Sequence, residues 1–118
     1  GMTEKEVAEF IDNEYLKAGA EGVSFDTIVC FGENAADQHH MPSETRKLAA
    51  GECILIDMGC RYKGYCSDMT RTYYCKSADP EQTFAHDIVR EAVERASLAH
   101  RSVKSTKLQE ILWTSTVI

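Results

Sequence analysis

The stretch "CILIDMGCRYKGYCSDMTRT", residues 53 to 72, constrains the fold more than any other part of the chain. It reads as two runs of strand-forming residues joined by a short turn, which predicts an antiparallel hairpin. Each run carries an aspartate, Asp57 and Asp68. With the turn centred on Tyr62 and Lys63, the two face one another across the hairpin. Side chains alternate along a strand, so the aspartates share a face with Cys53, Leu55, Cys66, Thr70 and Thr72, while Ile54, Ile56, Met58 and Met69 take the other. Carboxylates directly opposed on a sheet repel, and desolvating them costs several kcal/mol each. A divalent cation between them would relieve both penalties, because hard and borderline cations accept oxygen ligands. A solvated rim, or a proton shared between the two carboxyls, would serve as well.

The flanking segments complete an α+β order. Thr3 and Glu6 form a capping box that starts a helix, with Val7, Phe10, Ile11, Tyr15 and Ala18 as its apolar face and Lys5, Glu9, Asp12 and Glu14 as its solvated one. "SFDTIVCFG" reads as a strand. It runs into the polar loop "GENAADQHHMPSETRKLAAG", which is longer than a plain connection needs and marks a place for function. After the hairpin, Asp79 as cap and Pro80 at the first helical position open a second helix. Its apolar stripe contains Phe84, Ile88 and Val89 and leaves His86 on the solvent side. The tail from residue 105 shows no periodicity. The expected architecture is an antiparallel sheet with helices packed on one face.

With 118 residues, 43% hydrophobic and 27% charged, the chain has the size and make-up of one globular domain. A formal charge of -6 with dispersed Lys and Arg argues against nucleic acid or an anionic membrane as partner. No apolar run approaches the roughly 20 residues that span a bilayer. Five cysteines, odd in number and without a CxxC pair, suit reduced thiols and a cytoplasmic setting.

"LIDMGCRYKGYCSDMTRT", together with "GMTEKEVA" and "SFDTIVCFGENAADQHHMPSE", resembles the dinuclear metallopeptidases of the pita-bread fold, the family of methionine aminopeptidase, aminopeptidase P and prolidase. "SDMTRT" and "GENAADQHH" are closer to the Xaa-Pro branch. The likeness runs from the first residues to about His100. It implies half of a pita-bread fold, and hydrolysis of the amino-terminal bond of short peptides, Xaa-Pro peptides above all. It further implies two divalent metal ions, Mn, Co, Zn or Fe, with Asp57 as a bidentate ligand to one and Asp68 as a bridge between both. His39 matches the loop histidine that contacts substrate and stabilises the transition state, with His40 beside it on the substrate. The family's remaining ligands, a histidine and two glutamates, come later in its pattern. None of His86, His100, Glu81, Glu91, Glu94 and Glu110 stands in a matching motif. Residues 1–118 are therefore expected to be the amino-terminal half of the catalytic domain, inactive alone and binding little or no metal, and to pair as a homodimer through surfaces the other half would cover. The alternative is a non-catalytic peptide- or protein-binding module of the same fold.

Overall fold

A computed structural model describes residues 1–101, with the side chains of residues 1–97; the tail beyond residue 101 and the side chains of His100 and Glu110 lie outside the described residues. Helix α1 (Glu4–Lys17) starts at the expected capping box: the amide of Glu6 donates to Thr3 Oγ1 (3.2 Å) and the amide of Thr3 to Glu6 Oε2 (2.7 Å). Strands β1 (Gly22–Val23) and β2 (Ile28–Phe31) follow, then a 3-10 helix over Gly32–Ala36. The hairpin comprises β3 (Cys53–Met58), β4 (Cys60–Tyr62), β5 (Tyr65–Cys66) and β6 (Met69–Tyr74), and α2 (Pro80–Arg101) closes the described chain. The strands form two antiparallel three-stranded sheets, ordered β1-β4-β5 and β2-β3-β6.

The core lies between α1 and the larger sheet, where Ala8, Val29 and Phe31 are buried and Val7, Ile11, Ile54 and Ile56 pack round them. Helix α1 is rotated from the face its apolar residues predict. Phe10 is 56% exposed, while Glu4 is wholly buried. Asp12 is half-buried and accepts from Thr27 Oγ1 at 2.6 Å. Two acids sit on the packed side because hydrogen bonds replace the water they lose, which a hydrophobic pattern does not register.

Each expected hairpin strand is broken in two. At Gly59 a side chain has no room: a Cβ there would overlap Ser67 O and Ser24 Oγ and lie 2.8 Å from Phe25 Cε1. Ser24 N donates to Gly59 O (3.0 Å), Ser24 Oγ to Ser67 O (2.7 Å) and Cys60 N to Ser67 Oγ (3.0 Å), so three segments cross at this point. The sheet changes partners there, from β2 on one side to β1 on the other.

Helix α2 begins where the sequence sets it, with Glu81 N donating to Asp79 Oδ1 at 2.8 Å. Its orientation differs from expectation. His86 is half-buried, edge-on to the buried Tyr74 ring with centroids 6.4 Å apart, while Phe84, Ile88 and Val89 are exposed. Tyr74 also donates its hydroxyl proton to Gln82 O (3.2 Å), so one tyrosine at the end of β6 holds the first turns of the helix and sets which side faces the sheet. No described helix is long and apolar enough to cross a membrane.

Candidate metal centre and substrate loop

Tyr62 pairs with Tyr65 across a two-residue turn at Lys63 and Gly64, whose φ values, 50° and 79°, are both positive. That is the turn type whose twist matches a hairpin, and it favours glycine in its second place. The turn lies one residue later than the expected Tyr62–Lys63. In consequence Asp57 lies opposite Thr70, not Asp68. Asp68 falls just before β6, diagonal to Asp57, a relation that in a regular sheet separates Cβ atoms by about 7–8 Å. Direct opposition is relieved, and the repulsion argument for an intervening cation loses its force. Within β3 and β6 the alternation holds, since a slip of two residues keeps Asp57 level with Thr70 and Leu55 with Thr72, while Asp68 falls outside both strands.

Asp57 is half-buried and accepts from Thr70 Oγ1 at 2.9 Å; Asp68 is exposed. Ile28 flanks Asp57 on β2. Two carboxylates, one steadied by a hydroxyl, fit the oxygen preference of a hard divalent ion. Among the described residues no third His, Cys, Asp or Glu joins them in a metal-holding group. The pair is a partial ligand set, sound in kind and short in number.

The loop after β2 carries the histidines. His39 is exposed, and its amide donates to Asp37 Oδ1 at 3.0 Å. His40 turns inward: its Nε2 lies 2.7 Å from Glu4 Oε2. The family resemblance implies both rings at the substrate; the structure engages Nε2 of His40 with Glu4. Glu4 itself escaped the sequence reading, since an acid in the first turn of a helix already has an ordinary explanation in the helix dipole. Burial raises its pKa, but bonds from His40, Asn34, Ser43 and Phe31 outweigh burial and hold the carboxyl below the ordinary 4.5. Nearby Cys30 is pushed up to about 11, by burial first and then by the charge of Glu4. Such a thiol is inert at neutral pH.

Comparison with known proteins reaches the same assembly of segments. The model of metallopeptidase family M24 matches residues 1–112. The chain belongs to metallopeptidase family M24. An uncharacterized peptidase of Staphylococcus haemolyticus is 44% identical over 111 residues, spanning 94% of this chain and 31% of that protein. Among solved structures, a prolidase from Thermococcus sibiricus superposes with a TM-score of 0.78 at 41% identity, covering 81% of this chain and 26% of that one. An X-Pro aminopeptidase from Thermotoga maritima MSB8 gives 0.77 at 44%, covering 81% and 27%. This M24 chain thus spans between a quarter and a third of the length of these relatives. Its pita-bread half-fold is that of the prolidases and X-Pro aminopeptidases.

Proposed function

We propose that residues 1–118 form the amino-terminal half of an M24 catalytic domain that hydrolyses the amino-terminal bond of short Xaa-Pro peptides in the cytoplasm. The observation that carries this is the hairpin itself: Asp57 on β3 pairs with Thr70, and Asp68 lies just ahead of β6, two residues before Thr70, within a chain 41% and 44% identical to a prolidase and an X-Pro aminopeptidase. Asp57 and Asp68 would hold two divalent ions, Mn, Co, Zn or Fe. When bound, such ions supply an activated water and a polarised carbonyl.

The chain's own residues do the rest. Thr70 fixes the rotamer of Asp57 through its 2.9 Å hydrogen bond, so that the second carboxylate oxygen keeps one direction. His39, exposed on its loop, contacts the substrate and steadies the charge that grows on the carbonyl oxygen. His40 stands beside it with its ring held by Glu4. Alone, these residues offer two carboxylates for two ions, so we expect weak metal binding and no turnover.

Metal analysis and an Xaa-Pro peptide assay test the reading in two steps. In the complete domain, Asp57→Asn or Asp68→Asn should lower turnover at least about 100-fold and release metal, by analogy with the cost of disturbing ligand shells; unchanged turnover rejects both roles. Peptide binding that persists in excess chelator, without hydrolysis, would point to a binding module instead. We further propose that the chain alone pairs as a homodimer, through the apolar residues that α2 leaves exposed.

A further inference from the structure

Glu4 is wholly buried, yet its partners all come from one distant segment. Oε1 accepts from Phe31 N (2.7 Å) and Asn34 Nδ2 (2.8 Å). Oε2 accepts from His40 Nε2 (2.7 Å) and Ser43 N (2.9 Å). A carboxylate has about four acceptor sites, and all are filled. Because it only accepts, the hydrogen in the His40 contact resides on Nε2. The backbone closes the same joint: Glu4 N donates to Arg46 O (3.3 Å), Lys5 N to Ser43 O (3.2 Å), and Thr3 bridges to Lys47.

The donors come from the end of β2 (Phe31), the 3-10 helix (Asn34) and the loop beyond it (His40 and Ser43). His39 is the immediate neighbour of one of them. Its own amide, and that of His40, bond back to Asp37, so the segment 37–40 is a compact turn whose single side-chain tie to the body is the His40 ring among the described bonds. A buried carboxylate is a poor way to add stability, since an apolar side chain of similar size usually does as well or better. What it adds is direction: four donors must be in place at once.

We propose that Glu4 and His40 are positioning residues for His39, holding the loop from Gly32 to Ser43 so that the exposed imidazole is presented to substrate. This rests on the substrate role given to His39 above. His40 acts through its Nε2–H alone, so any side chain that delivers one donor to Oε2 should replace it, and one that delivers none should free the turn.

The test is amide exchange by NMR on the 118-residue chain, without metal or peptide. His40→Ala should speed exchange at residues 37–43 about tenfold, the order implied by losing a hydrogen bond to a charged group. The ring resonances of His39 should move to free-peptide positions, while the amides of Val29 and Ile56 stay within about twofold. His40→Gln should restore most of the protection. Glu4→Gln, if it folds, should free the turn as His40→Ala does. Equal acceleration in loop and core would show a general loss of stability and overturn the proposal, as would an unmoved loop. Turnover indifferent to His39→Ala in the complete domain would instead sink the substrate role of His39, with the exchange results unaffected.

Discussion

Glu4 carries a pH dependence that can be signed. Its folded pKa lies below the ordinary 4.5, so its bonds stabilise the native state above that value, and the contribution is lost as pH falls through the lower folded pKa. The melting temperature should therefore hold between about pH 7 and pH 5 and drop below about 4.5. Glu4→Gln should cost roughly 1–3 kcal/mol at neutral pH, with a flatter acid limb. Calorimetry across the acid range reads both, and an unchanged acid limb in the variant would contradict the assignment. At this scale the sequence was only partly legible. Thr3 and Glu6 announced the helix start because their partners lie three residues away. Glu4 did not, because its donors lie 27 to 39 residues further on and nothing local distinguishes a buried acid from an exposed one.

The hairpin divides in the same way at the level of elements. Which residues share the aspartate face was readable, since alternation needs only the chain itself. The register was not, because it depends on which two residues make the turn, and the decisive signal was Gly64 at a position with φ of 79°. The strand breaks were hidden as well, since they arise where Ser24 and Phe25 press on Gly59 from another part of the molecule. Gly59→Ala should accordingly destabilise the chain by roughly 1–3 kcal/mol, read from urea unfolding. Because the crossing lies between Asp57 and Asp68, the variant should also shift the amide resonances of both. A neutral substitution would mean that the segments separate at little cost.

Over the whole molecule, α2 leaves Phe84, Ile88 and Val89 at 67%, 52% and 61% exposure. Light scattering should find a dimer, and Ile88→Glu should weaken it about tenfold or more, as loss of a central apolar contact does; a clean monomer at high concentration would refute the pairing. The stripe was legible as apolar periodicity, but its outward orientation was not, because Tyr74 decides it from outside the helix. The Glu4 joint has a further consequence, for the order in which the chain comes together. Made from its amino terminus, the polypeptide exposes Glu4 while its last donor, Ser43, is still 39 residues from emerging. Until then water is the better solvent for that carboxylate, and α1 gains nothing by docking. Docking of α1 is thereby timed by the arrival of the histidine loop, and a nascent chain stalled before Ser43 should show the helix unburied.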